Sequence, residues 1–149
     1  MHADGLTDAD IADVLERTQR VAVVGASANP GRPSHMVTRM LIDHGYDVTP
    51  VNPGLAGQSI HGRPVVASLA EAGELDMVDV FRAPESVGPV VDEAIRLGAK
   101  TVWMQLGVIN EAAADIGRAA GLLVVMDRCP AIEVPRLGVR KVGLGVREG

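Results

Sequence analysis

Apolar positions along this chain follow two rhythms. One is a short unbroken run that stops at glycine or proline; the other repeats every three to four residues. Behind the capping box Thr7-Asp8-Ala9-Asp10, residues Ile11, Val14 and Leu15 fall at helical spacing and predict a first helix ending near Arg20. The run Val21-Ala22-Val23-Val24, halted by Gly25, predicts a buried strand. After a loop to Pro33, Ser34 is placed to cap a helix carrying Val37, Met40 and Leu41 and stopping at Gly45. Residues 47–51 predict the second strand, ended by Asn52-Pro53-Gly54. Ser68-Leu69-Ala70-Glu71 reads as a second capping box opening a short helix. Residues 77–81 predict a third strand, and the stretch 85–97 is helical from about Pro89. Residues 101–104 and 122–126 predict the fourth and fifth strands, separated by a helix that Asn110 caps and Gly121 ends. From Arg128 on, glycines and charges predict irregular structure with a loose end.

Strands alternating with helices at this spacing specify βαβ units and a parallel sheet. The predicted class is therefore α/β, a single three-layer domain over residues 1–137 with a tail at 138–149. Right-handed crossovers favour a doubly wound five-stranded sheet, expected in the order 3-2-1-4-5. In such a sheet a ligand lies at the carboxyl ends of the strands, where the winding reverses. That rule points to the segments after Val24, Val51, Val80 and Trp103.

Composition narrows the function classes. The net charge is −5, and aromatic residues make up 2% of the chain. A nucleic-acid role is disfavoured, since phosphate tracking wants a basic surplus and single-strand binding wants stacking platforms. Residues 1–10 hold three aspartates and no apolar stretch, so neither a signal peptide nor a membrane span is expected, and the chain is placed in the cytoplasm. The lone Cys129 excludes an internal disulfide and a cysteine-based zinc site.

Among the strand-end segments, Gly25-Ala26-Ser27 is a glycine turn leading toward Arg32-Pro33-Ser34 and a helix N-terminus, a place suited to phosphate. It matches neither the dinucleotide fingerprint nor the P-loop, and by itself is equally a plain turn. The second strand ends Val51-Asn52-Pro53, without the acidic residue that holds ribose hydroxyls in dinucleotide sites. Phe81-Arg82-Ala83 brings an arginine that either forks onto a phosphate or pairs with Glu85 at the surface. Trp103 is expected in the core, whereas Gln105 and Gly107 lie beyond their strand and are better candidates. The four histidines are scattered, Ser27 lacks a nucleophile elbow, and Cys129 reads as a structural thiol. No catalytic residue and no metal site is expected, and no enzymatic activity follows from the chain alone.

Taken together, Val23-Val24-Gly25-Ala26-Ser27, Arg32-Pro33-Ser34, Gly45-Tyr46, Pro50-Val51-Asn52-Pro53, Val80-Phe81-Arg82, Trp103-Met104-Gln105-Leu106-Gly107 and Asp127-Arg128-Cys129 resemble the CoA-binding domain family. These are small proteins related to the N-terminal CoA domain of the succinyl-CoA synthetase α-subunit. The resemblance spans residues 21–133 and implies a Rossmann-like fold with coenzyme A, free or acylated, lying across the strand ends. It implies that Gly25, Ala26, Ser27 and the helix after Ser34 meet the phosphates, with Arg32, Arg82 and Arg63 as nearby cations. Asn52 and Pro53 would line the nucleotide part, and Phe81, Arg82, Ala83, Gln105 and Gly107 would flank the pantetheine. The synthetase keeps its phosphorylated histidine in a second domain that this chain lacks, so ligase activity is not implied. The competing readings are an NAD(P)-dependent enzyme, a CoA-ligase subunit, and a degenerate domain kept for protein contacts. A monomer or a homodimer is expected. Cys129, beyond the fifth strand, would form a mixed disulfide with CoA if its thiol were accessible.

Overall fold

The computed structural model describes residues 3–140. Its elements, in chain order, are α1 (Asp8–Arg17), β1 (Arg20–Val24), α2 (Pro33–Asp43), β2 (Asp47–Val51), a two-stranded hairpin of β3 (Ser59–Ile60) and β4 (Arg63–Pro64), and β5 (Met77–Val80). Then follow α3 (Val87–Arg96), β6 (Thr101–Met104), α4 (Glu111–Ala119), β7 (Leu123–Val125) and α5 (Pro130–Arg136). Unbroken Val-rich runs make the strands because both faces of the sheet are covered. Ala22, Val24, Val78, Val80, Val102 and Met104 pack under α3 and α4. Val21, Val23, Met77, Trp103 and Val125 pack under α1, α2 and α5. The result is the expected three-layer α/β domain with a five-stranded parallel sheet.

The strand order differs from the expected one. It is β2-β1-β5-β6-β7, which puts the third long strand beside the first instead of outside the second. Pro50 gives the physical reason. Proline has no N–H for a ladder, so a strand containing it belongs at a sheet edge. The Pro50 carbonyl faces outward and accepts from the Val66 N–H at 3.0 Å, which places the missing donor on the outer side as well. The winding therefore reverses between β1 and β5. β1 leads through α2 on one face of the sheet, and β5 through α3 on the other.

Other local readings are refined. The box at Thr7 is present, with Thr7 and Asp10 each bonding the other's N–H. Ser68 makes no cap bond and opens only a short 3₁₀ turn; Glu71 instead accepts from the Ala67 N–H. Residues after Arg128 form α5 where irregular structure was expected. Pro130 sits at its first position, where no N–H is needed. The expected tail 138–149 lies outside the described residues from 141 onward. Before that point Val139 is buried, and its carbonyl accepts from His44 Nε2 at 3.1 Å. No helix among the described residues is long and apolar enough to cross a membrane.

A buried ion pair closes the N-terminal segment onto the far edge of the sheet. Arg128 Nε donates to Asp4 Oδ2 at 2.8 Å and Arg128 Nη2 to Asp4 Oδ1 at 3.0 Å. The Asp4 carboxylate also accepts the N–H groups of Leu6 and Met126. Burial pushes the Asp4 carboxyl up, but these bonds and the Arg128 charge outweigh it and hold it below the usual carboxylate value. Removing one partner of such a pair leaves an uncompensated buried charge, so Asp4→Ala is expected to lose about 3–5 kcal/mol of stability by urea unfolding. Because the folded carboxyl is depressed, its contribution is full above the unfolded value and disappears as pH falls through the folded one. Asp4→Asn is expected to flatten that acid limb, and an unchanged acid limb would exclude Asp4 as its source.

Candidate functional site

At the reversal between β1 and β5 the backbone passes too close for a side chain. Gly25 has φ +88°, and a Cβ there would lie 2.2 Å from the Phe81 carbonyl oxygen. Glycine is thus required both for the turn and for the approach. The N–H groups of Gly25 and Ala26 both point to the Val51 carbonyl, at 3.2 and 3.3 Å. Asn52 completes this junction: its Nδ2 donates to the Ala26 carbonyl at 2.7 Å and its Oδ1 accepts from the Gly54 N–H at 2.8 Å. The asparagine after β2 is therefore more than a turn residue. It ties the exit of the edge strand to the exit of β1.

The loop that follows is held by its own short side chains. Ser27 Oγ accepts from the Asn29 N–H at 3.0 Å, and Asn29 Oδ1 from the Gly31 N–H at 2.9 Å. These turns deliver Arg32 to the N-cap of α2, with Pro33 at the first helical position. Ser34 is not the cap that its residue type suggested. It lies buried within the first turn, and its carbonyl accepts from Thr38 Oγ1 at 2.7 Å. Arg32 makes no capping bond with its side chain, which leaves the guanidinium and the helix end open to the same space.

That space is a cleft of about 290 Å³, and it gathers Gly25, Ala26, Ser27, Arg32, Ser34, Asn52, Phe81 and Arg82. Pro33, between two of them, was the wall residue not singled out. Pro53 instead lines an adjoining, more apolar depression of about 210 Å³ with Val51, Leu69 and Val90, and Arg82 stands between the two. Nothing local in residues 67–69 or in α3 marked them as lining, because only the crossover from β2 to β5 brings them here. Ala83, Gln105 and Gly107 line neither space. Ala83 precedes a short turn at Pro84–Ser86. Gln105 is buried, with Oε1 lacking a hydrogen-bond partner among the described residues. The Gly107 N–H donates to Asp127 Oδ1 at 2.7 Å.

The charges around the cleft are one-sided. Among the described residues no carboxylate lines the 290 Å³ space. Among the described lysines and arginines, Arg32, Arg82 and Arg140 have no ion pair, and two of the three face this cleft. Arg82 makes no surface pair with Glu85. Arg63, the third suggested cation, is taken up by Asp47 and by the Val48 carbonyl.

Elsewhere the side chains behave as structure. Trp103 is fully buried and donates Nε1–H to the Arg128 carbonyl at 2.8 Å. Cys129 is buried at the N-cap of α5, which keeps its thiol from a ligand in the cleft. His35 and His61, scattered in sequence, meet at a tilt of 50° with ring centroids 4.1 Å apart. Among the described residues no group of three or more histidine, cysteine or acidic side chains is placed to hold a metal ion.

The profile of a family described as CoA binding domain matches residues 19–135. The protein YneT of Bacillus subtilis (strain 168) is 40% identical over 122 residues, covering 81% of this chain and 89% of YneT. A solved structure of a hypothetical protein from Pyrococcus horikoshii OT3 superposes with a TM-score of 0.87 at 39% identity, covering 92% of this chain and 96% of that one. The α subunit of an ADP-forming acetate–CoA ligase from Pyrococcus furiosus is 34% identical over 95 residues, covering 60% of this chain and 21% of that subunit.

A methyl group at residue 25 tests the junction. The left-handed backbone costs a non-glycine residue about 1–3 kcal/mol, and displacement of the Phe81 carbonyl adds to it. Gly25→Ala is expected to lose about 2 kcal/mol or more in urea unfolding, whereas Gly62→Ala, with open space around it, pays the backbone strain alone. Equal losses at the two positions would show that contact with Phe81 carries no weight.

Proposed function

The chain belongs to the CoA-binding domain family, and from that premise we propose that it binds coenzyme A, or an acyl-CoA, across the carboxyl ends of β1, β2 and β5 as a non-catalytic module. The observation that carries this reading is the pair of unpaired arginines, Arg32 and Arg82, facing an acid-free cleft at the N-terminus of α2. Coenzyme A carries a pyrophosphate and a separate 3′-phosphate, so it needs anion donors at more than one place. The helix end and Arg32 suit one phosphate group, and Arg82, between the two depressions, suits another. The apolar walls of Pro53, Leu69 and Val90 suit the adenine base, and the pantetheine arm would leave the cleft past Phe81.

Discrimination against NAD follows from Asn52. The end of β2 carries this amide, bonded to the Gly54 N–H and the Ala26 carbonyl, in place of the carboxylate that grips ribose hydroxyls in dinucleotide sites. Among the described residues the hydroxyls lining the cleft are those of Ser27 and Ser34, and no histidine or carboxylate lines it with them. That arrangement supports binding and supplies no activated nucleophile. A second reading, a subunit of a CoA-using ligase, draws on the likeness to the acetate–CoA ligase α subunit and needs a partner to supply the chemistry.

Calorimetric titration tests the reading. A charge-assisted hydrogen bond contributes roughly 1.5–3 kcal/mol, or about ten- to a hundredfold in affinity. Arg32→Ala is expected to weaken coenzyme A by that factor and dephospho-CoA much less, while Arg82→Ala weakens both. NAD binding as tight as coenzyme A would overturn the assignment. In a separate assay the purified chain is expected to release no CoA from acetyl-CoA. Turnover that vanishes with a single cleft substitution would reclassify it as an enzyme.

A further inference from the structure

Asp79 occupies the driest place in the sheet. It lies in β5 between Val23 of β1 and Trp103 of β6, is 0% exposed, and has no hydrogen-bond partner for either carboxyl oxygen among the described residues. An ionised carboxylate without a partner is very costly in such surroundings. Gln105 follows two residues after Trp103, so it projects from the same face of the sheet as Asp79. The ladder continues that far, since the Gln105 N–H donates to the Val80 carbonyl at 3.3 Å. Gln105 is also buried, and its Oε1 also lacks a donor. Strand spacing and rise put the two Cα atoms about 8 Å apart, a span that an aspartate and a glutamine side chain bridge together.

The two Asp79 oxygens and Gln105 Oε1 are acceptors that meet no donor among the described residues, a joint liability in a dry core. One proton serves both residues. We propose that Asp79 is held as the neutral acid and donates its proton to Gln105 Oε1, a positioning contact that fixes the exit of β6 beside the ligand cleft. Among the described residues the other buried charged side chains are Asp4, Arg128 and Glu133. They are engaged with one another, Arg128 bonding Asp4 and lying 3.7 Å from Glu133. Burial alone pushes the Asp79 carboxyl well up, and no neighbouring charge opposes it. The contact places Asp79 as a positioning residue acting through Gln105. Only its effect on the ligand rests on the coenzyme A reading.

The sign of the linkage is fixed. A carboxyl raised in the folded state stabilises fully below its unfolded value, and that contribution is lost as pH rises toward the folded one. Asparagine at 79 imitates the neutral acid, because its amide N–H can donate to the same oxygen. Infrared difference spectra at neutral pH, wild type against Asp79→Asn, are expected to show a protonated carboxyl band that the variant lacks. Gln105→Leu keeps Asp79 in place and is expected to shift that band to higher frequency as the hydrogen bond is lost, which also reads the contact if Asp79→Asn folds poorly. Coenzyme A affinity is expected to fall with rising pH in the wild type and to stay level in Asp79→Asn. Carboxylate bands alone in the difference spectrum, or a band unmoved in Gln105→Leu, would overturn the proposal. A shifted band in a protein that binds no coenzyme A would leave the acid–amide bond standing and remove the ligand reading instead.

Discussion

The site exists because residue 25 has no side chain. Where the winding reverses, the exit of β1 must pass against the Phe81 carbonyl, at a distance that admits no Cβ. The rest of the cleft follows from that contact. With β1 and β5 this close, Asn52 reaches across from β2 to the Ala26 carbonyl, and the loop of Ser27 and Asn29 turns Arg32 back over the gap. Arg82, one residue past Phe81, then faces Arg32 across the same space. A wider junction would separate the two cations and open the floor between them.

The charge of the whole chain and the charge of the cleft have opposite signs, and both matter. A surplus of acids argues against extended nucleic-acid binding, which depends on many cations acting together. It does not argue against a ligand with a few phosphates. Most described cations are neutralised nearby, as Arg17 is by Asp13 and Arg39 by Asp43. Arg32 and Arg82 stand out because they are left over, and no acid among the described residues lines the cleft they share. Local pairing decides where an anion goes; net charge decides only how it is approached.

Much of this was legible in the sequence, for reasons that particular residues make clear. Val21-Ala22-Val23-Val24 and its counterparts announce strands buried on both faces, and the glycine after β1 announces the turn. The strand order was also written there, in Pro50, since a residue without an N–H marks an edge. The α5 helix hid behind Pro130 and Pro135, residues that usually end helices. The cap of α2 was misplaced because Ser34 is the commoner capping type, yet Arg32 holds the position. Most of the candidate site came together because strand ends of a doubly wound sheet converge at the reversal. The lining from Ala67, Leu69 and Val90 did not show, because it depends on how the β2–β5 crossover drapes over the sheet.

The polar contacts around the cleft explain why this scaffold suits recognition. Asn52, Ser27 and Asn29 bond to backbone, and Asp127 holds the Gly107 N–H, so the loops are ordered before any ligand arrives. A pre-ordered loop spares the ligand the entropy of organising its own site. Ser27 Oγ accepts from the Asn29 N–H, and among the described residues no histidine or carboxylate lines the cleft with it. What remains is the positive helix end and two long cationic side chains, groups of the kind that suit an anion. A cleft built this way suits the anionic end of a ligand.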